Sequence, residues 1–306
     1  MDTFSSKIVS QQEFLSHRRR VFPHLASDAG YRWDFLRTFA GHAPDVFVLL
    51  DPSGAVAAGS AVTYRNLAGA SGGTLRIGIM TGSWTLPEFR RQGWFTRMIQ
   101  HSSLLARRHD CAALTAFVTA ENASARRLLA AGSLPFPSRY IFSDPAARGP
   151  AFRLPEILPP TPALLRQAHD SHRRDPQEKD APGTFRFDYG EGDFREQFFE
   201  RPDGVFILRF DENLILAEES HDAIKILLLP KGDPSGTLRL LRQAGAWAAT
   251  EKNKKLYYFT TTPGEISLLD SQGDFHAVPG WFTYLPLQAP YPAPPGAIEI
   301  QLGDKM

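Results

Sequence analysis

Ile77-Gly-Ile-Met-Thr-Gly-Ser-Trp-Thr-Leu-Pro-Glu-Phe-Arg-Arg-Gln-Gly-Trp-Phe-Thr-Arg-Met-Ile99 is the stretch from which the rest of the chain can be read. Apolar and β-branched residues fill Leu75 to Met80, as suits a buried strand. Arg90, Arg91, Gln92 and Gly93 break that pattern, and a helical period then begins. Phe95, Met98, Ile99, Ser102, Leu105 and Ala106 share one helical face, with Arg97, Gln100, His101 and Arg108 off it. A strand, a basic turn and a helix in succession place unpaired backbone N–H groups and the positive end of a helix dipole beside two arginines. That is the physics of a phosphate site. A side chain at position 93 would hold the backbone away from such a ligand. The same residues also suit an ordinary turn with solvated arginines, since one glycine is a weaker signal than a glycine-rich loop.

The surroundings of this stretch predict its neighbours in the fold. Gln11 to Val21 and Tyr31 to Phe39 have helical spacing of apolar residues. Asp45 to Leu50 and Ala55 to Tyr64 read as strands joined by the turn Asp51-Pro-Ser-Gly54. After the central helix, Ala112 to Thr119 is a buried strand, Asn122 to Ala131 a short helix stopped by Gly132, and Arg139 to Phe142 a final strand. Pro155, Pro159, Pro160 and Pro162 and the charged run His169 to Asp180 read as a linker over 151–183, with one helical turn near Ala163 to Ala168.

Beyond that linker the order recurs. Strands are expected at Gly204 to Phe210, Asn213 to Ala217 and Ala223 to Leu229, then a helix carrying Leu238, Leu241, Ala244 and Trp247. Lys255 to Thr260, a short helix near Ile266 and Trp281 to Leu285 complete it. Pro44-Asp-Val-Phe-Val-Leu49 and Pro202-Asp-Gly-Val-Phe-Ile-Leu208 open the two units in nearly the same words. The expected organisation is an α/β chain of two tandem units, each a twisted mixed sheet flanked by helices: 1–150, then the linker, then 184–290, with a proline-rich tail at 291–306 expected to run as extended surface chain.

Composition bounds the function. The 306 residues are 42% hydrophobic, enough for real cores, and the formal net charge of +1 gives no electrostatic case for nucleic acid or an anionic membrane. A single cysteine, Cys111, excludes an internal disulfide and reads as a small core residue. The apolar runs are strand-sized and the first thirty residues do not resemble a signal peptide, so a cytoplasmic protein is expected. No histidine spacing suggests a metal.

Thr85-Leu-Pro-Glu-Phe-Arg-Arg-Gln-Gly-Trp-Phe-Thr96 resembles the acyl-CoA motif of the GNAT superfamily of N-acetyltransferases, in which Arg/Gln-x-x-Gly-x-Gly/Ala follows a strand. Here the pattern falls on Arg90, Gly93 and Phe95, with Phe95 in place of the final small residue. The resemblance implies acetyl-CoA or another acyl-CoA as co-substrate, and a cofactor site at Trp84, Thr85, Leu86, Arg90, Arg91, Gln92, Gly93, Trp94, Phe95, Thr96 and Asn122. It implies that main chain from Gly82 to Leu86 holds the pantetheine and polarises the acyl carbonyl, with Ser83 and Thr85 able to add hydroxyls. Asn122, matching the family's asparagine, is also a favoured helix N-cap.

Departures matter for the chemistry. The family's Asn-x-x-Ala-x-x-Leu-Tyr runs here Asn122-Ala-Ser-Ala125-Arg-Arg-Leu128-Leu129, so the tyrosine that protonates the leaving thiolate is replaced by Leu129. Tyr140 is a substitute only by proximity in the fold. Leu75 to Trp84 carries no carboxylate, and no general base is legible. In the second unit, Pro230-Lys-Gly-Asp-Pro-Ser-Gly236 stands where the basic turn should be: Asp233 would repel a pyrophosphate and Pro234 lacks an N–H, leaving only Lys231 and Gly232 for residual binding. The resemblance therefore implies an N-acyltransferase acting on a small-molecule or peptide amine. Two alternatives stay open: an acyl carrier protein as donor, or a catalytically silent acyl-CoA-binding scaffold.

Overall fold

The computed structural model describes residues 5–23, 27–69, 72–143, 153–173, 183–230, 233–288 and 296–305. The first half contains β1 (Ser5–Lys7), α1 (Gln11–Val21), α2 (Asp28–Phe35), β2 (Asp45–Leu50), β3 (Val56–Gly69), β4 (Thr74–Thr85), α3 (Trp94–Arg108), β5 (Ala113–Thr119), α4 (Ala123–Ala130) and β6 (Leu134–Ser143). A connecting region follows, with β7 (Glu156–Leu158), α5 (Pro162–His172), β8 (Thr184–Asp188) and α6 (Glu191–Phe198). The second half repeats the first as β9 (Val205–Phe210), β10 (Asn213–Glu219), β11 (Ala223–Leu228), α7 (Pro234–Lys252), β12 (Lys255–Thr260), α8 (Pro263–Asp270) and β13 (Phe275–Pro286), and β14 (Ala297–Glu299) closes the chain.

The fourteen described strands join one mixed sheet, whose main path is β1-β2-β3-β4-β5-β13-β6-β12-β11-β10-β9-β7. The order corrects a detail expected from the sequence. The last strand of each half does not close its own half: β13 lies against β5, and β6 lies against β12. The two exchanged strands pair antiparallel over ten residues, from Phe275 opposite Ser143 to Tyr284 opposite Leu134. Gly280 makes the pairing possible, because a Cβ there would lie 2.4 Å from the Tyr140 ring and 2.8 Å from the Val118 carbonyl oxygen. The sheet is thus continuous across the two expected units.

Hydrophobic periodicity sets the layers. Met98, Ile99 and Ala106 of α3 bury against Val62, Met80 and Leu114, while Leu241, Ala244, Trp247 and Ala248 of α7 bury against Ile224, Ile226 and Tyr258. Phe14 and Leu15 of α1 pack with Tyr31 and Phe35 of α2 over Trp84. Each fully buried side chain of this size contributes roughly 2 kcal/mol. Cys111 lies fully buried, and burial pushes its thiol up to about 12, so it is an inert core residue.

Over their described residues, two polar, proline-rich stretches form regular elements where the sequence suggests open chain. The 151–183 stretch carries β7 on the edge of β9 and an eleven-residue α5. Thr161 caps that helix, its hydroxyl accepting from the Leu164 N–H, and Pro162 suits the first turn. Its His169 and His172 face the aromatic cluster of Tyr189, Phe194 and Phe198. The proline-rich tail is also no surface strap over its described part. β14 pairs parallel with β8, and Ile298, Ile300, Leu302, Gly303 and Asp304 are buried. The alternation of apolar and polar residues from Ile298 to Leu302 is a short strand pattern that the prolines before it mask.

Candidate acyl-donor site

β4 and β5 run parallel but pair at only three positions, Ile77 with Ala113, Gly78 with Leu114 and Ile79 with Thr115. Beyond them the strands part. A cleft of about 250 Å³ opens there, lined by Ile79 to Ser83 on β4 and by Ala116, Phe117 and Val118 on β5. Phe95 of α3, together with Asn122, Ser124 and Leu128, supplies another side, and Lys305 from the chain's tail reaches in as well.

The splay has a local cause. The β3–β4 register slips between Gly59 and Ala61, so Ser60 stands opposite both Gly82 and Ser83. Gly82 has φ +59, and a Cβ there would sit 2.5 Å from the Phe35 ring. Glycine is therefore required twice over, by backbone and by space. The bulged residues Gly82 and Ser83 line the cleft. The Ser83 and Ser60 hydroxyls lie 2.8 Å apart, and Ser60 also donates to the Thr81 carbonyl at 3.2 Å.

At the end of β4 the basic turn has the geometry its sequence implied. Arg91 and Gly93 both adopt left-handed backbone, at φ +66 and +81. Gly93 is the N-cap of α3 and no side chain caps the helix. The first intrahelical bond runs from Arg97 N–H to the Gly93 carbonyl, so the N–H groups of Trp94, Phe95 and Thr96 have no helical partner. Nothing lies within 4 Å of a Cβ built on Gly93. Arg90 and Arg91 are exposed and make no ion pair with any described residue. Gln92 donates to the Glu88 carbonyl at 3.1 Å, and Arg20 pairs with the Glu88 carboxylate at 2.7 Å, which fixes the loop's outer side.

The expected residues divide cleanly. Phe95 and Asn122 line the cleft, and Arg90 to Thr96 form the turn and first helical residues beside it. The Asn122 carboxamide oxygen accepts from the Ser124 N–H at 2.9 Å, so the residue is an N-cap and a cleft residue at once. Trp84, Thr85 and Leu86 do not line the cleft. Trp84 is buried against Phe14 and covers Gly59, Thr85 pairs with Ala58, and the Leu86 N–H donates to the Ala57 carbonyl. Trp94 is a core residue whose ring carries the Arg97 guanidinium 4.4 Å above it. Leu129, at the position of the missing tyrosine, is partly exposed and outside the cleft lining.

Lys305 is the residue that sequence reasoning missed. Its amine lies 4.2 Å above the Tyr140 ring, 5.5 Å from the Phe259 ring and 3.5 Å from the Tyr257 hydroxyl. Burial among these groups lowers the amine to about 7, against the ordinary 10.5. Tyr140 itself lies beneath Lys305, and burial pushes its phenol up. No local signal marks Lys305: it reaches the cleft through a tail fixed by long-range pairing.

The second half has the same architecture with its cleft closed. β11 and β12 also pair at only three positions, Ala223 with Lys255, Ile224 with Leu256 and Lys225 with Tyr257. Past them the tail fills the gap. The Gln301 carboxamide accepts from Leu229 N–H at 2.7 Å and donates to the Leu229 carbonyl, while its backbone bridges Thr260. Gly303 fits so closely that a Cβ would stand 2.2 Å from the Phe198 ring and 2.7 Å from the Leu227 carbonyl oxygen. Asp233 caps α7 by accepting from the Gly236 N–H at 2.9 Å, and Pro234 follows it without an N–H. Lys231 and Gly232 lie outside the described residues. Among the described residues no group of three or more His, Cys, Asp or Glu could hold a metal ion, and no helix is long and apolar enough to cross a membrane.

The sequence profile of the Acetyltransferase (GNAT) family matches residues 11–132, the part of the chain that carries the open cleft. No curated protein matches the chain. Among solved structures, a GCN5-related N-acetyltransferase from Kribbella flavida is similar at 16% identity and TM-score 0.59, over 94% of this chain and 73% of that one. One from Sphaerobacter thermophilus matches at 14% identity and TM-score 0.56, over 94% and 97%. The Saccharomyces cerevisiae N-myristoyltransferase, solved with bound myristoyl-CoA, matches at 9% identity and TM-score 0.61, over 96% and 84%. At these identities the structural likeness speaks to the fold, and it extends over nearly the whole chain. The family match over residues 11–132, which include the open strand splay and the glycine-capped helix, and the likeness in fold over nearly the whole chain make the chain similar to the GNAT N-acetyltransferases.

Proposed function

We propose that the protein transfers an acyl group from acyl-CoA to a primary amine by direct attack, with no covalent enzyme intermediate. The observation that carries this reading is the pairing of an open β4–β5 cleft with an uncapped, glycine-led helix. In this reading the N–H groups of Gly93 to Thr96 and the free guanidinium groups of Arg90 and Arg91 hold the pyrophosphate. The pantetheine arm runs between the splayed strands, and Asn122 steadies it. Main-chain N–H groups near the Gly82 bulge polarise the thioester carbonyl. Donors fixed in that position stabilise the charge that develops as the amine attacks, and such preorganised donors supply most of the acceleration. The rest comes from holding thioester and amine in contact.

Acetyl-CoA and longer acyl-CoAs share every one of these contacts, so the acyl length is read by what fills the cleft. The test is calorimetric binding of acetyl-, octanoyl- and myristoyl-CoA to the wild type and to Arg91→Glu/Gly93→Glu, followed by thiol release in the presence of a panel of amines. Micromolar binding that the double variant loses, with amine-dependent thiol release, supports the reading. A wild type that binds none of the three overturns it and leaves a carrier-protein donor to be tried. Binding without thiol release for any amine points instead to a silent acyl-CoA-binding scaffold.

A further inference from the structure

The cleft assigned above to the acyl donor is lined by an amine of the chain itself. Lys305 lines it together with Ser83, Phe117 and Asn122, although it belongs to the far end of the chain. It is held there firmly: Gln301 grips the Leu229 backbone, Leu302, Gly303 and Asp304 are buried, and the tail has no slack before Lys305. The amine is not engaged in an ion pair with any described carboxylate. It faces the Tyr140 ring of β6 and the Tyr257 hydroxyl and Phe259 ring of β12. The nearest carboxylate in sequence, Asp304, is engaged elsewhere, accepting from the Gln301 N–H at 2.9 Å and lying 3.9 Å from His172 Nε2.

Resting on the acyl-CoA reading above, we propose that Lys305 is a modification site, its Nζ taking the acyl group from a thioester bound in the β4–β5 cleft. The neutral amine attacks the thioester carbonyl, a C–N bond forms and the C–S bond breaks. The proton shed by nitrogen goes to the departing thiolate, so the products are an N-acylated lysine and free CoA thiol. No further reactant is needed. Burial holds the amine near neutrality at about 7, so a large share of it is nucleophilic at physiological pH, whereas an exposed lysine is almost wholly protonated there. The acylated side chain carries no charge and occupies the space an external amine would use.

The experiment is incubation of the full chain with acetyl-CoA, without added amine, followed by intact mass and peptide mapping. Acetyl-CoA binding is measured in parallel by calorimetry. One acetyl group per chain at Lys305 is expected, absent from Lys305→Arg, which keeps the charge but cannot become neutral. The initial rate should rise about tenfold per pH unit below about 7 and level off above it, since only the neutral form reacts. Chains that bind acetyl-CoA yet remain unmodified at Lys305 overturn the proposal alone. So does acetylation spread over surface lysines with a rate still climbing at pH 9. Failure to bind acetyl-CoA removes the donor and overturns the acyl-CoA reading with it.

Discussion

Two helices begin after equivalent strands in this chain, and their first residues differ in kind. The helix at Trp94 starts from a left-handed glycine, leaves its N–H groups unclaimed and faces an open splay of strands. The helix at Pro234 starts from Asp233, whose carboxylate already satisfies a first-turn N–H, and a proline removes another donor. The strand splay beside it is filled by Gln301 to Asp304. One fold thus appears twice, once with an uncapped helix start beside an open splay and once sealed with its own chain. The difference teaches that the architecture alone does not make a donor site. In the function proposed above, the cap residue and the contents of the splay decide it.

The comparison can be broken from either side. Gly303→Val puts a branched side chain where a Cβ already meets Phe198 at 2.2 Å, so it should force the tail out of the second cleft and cost about 3 kcal/mol by overpacking; a chemical denaturation series measures it. Gly82→Val on the open side meets Phe35 at 2.5 Å from a backbone at φ +59, and a loss of about 2–3 kcal/mol is expected together with loss of acyl-CoA binding. Gln301→Ala removes both contacts to Leu229 and leaves that backbone pair unsatisfied, for about 1–3 kcal/mol. Asp233→Ala should cost about 1 kcal/mol through the lost cap and create no second acyl-CoA site, because the tail still fills the splay. A gain of a second site in that variant would mean that the cap, and not the tail, closes the second half.

Much of this contrast could be read from sequence. Both turns, Arg90 to Gly93 and Asp233 to Pro234, declare their electrostatics in a few residues, and the strand and helix periods gave the element order of each half. Side-chain direction was less accessible. Trp84 sits in the motif, yet its indole belongs to the core with Phe14, because a bulge at Gly82 changes which face each later residue takes. Long-range pairing was not legible at all. The exchange of β6 and β13 and the passage of the tail between β11 and β12 rest on contacts between residues far apart in the chain, as from Ser143 to Phe275. Prolines at 289–295 suggested a surface strap, and the apolar alternation after them was too short to contradict it. Lys305 was invisible for the same reason.

The most direct test of the account is the stoichiometry of acyl-CoA binding. Calorimetric titration of the full chain with acetyl-CoA should give one site per chain, abolished by Gly93→Glu and unchanged in number by Asp233→Ala. Two sites per chain, or a site that survives Gly93→Glu, would contradict the claim that the open first half alone holds the donor.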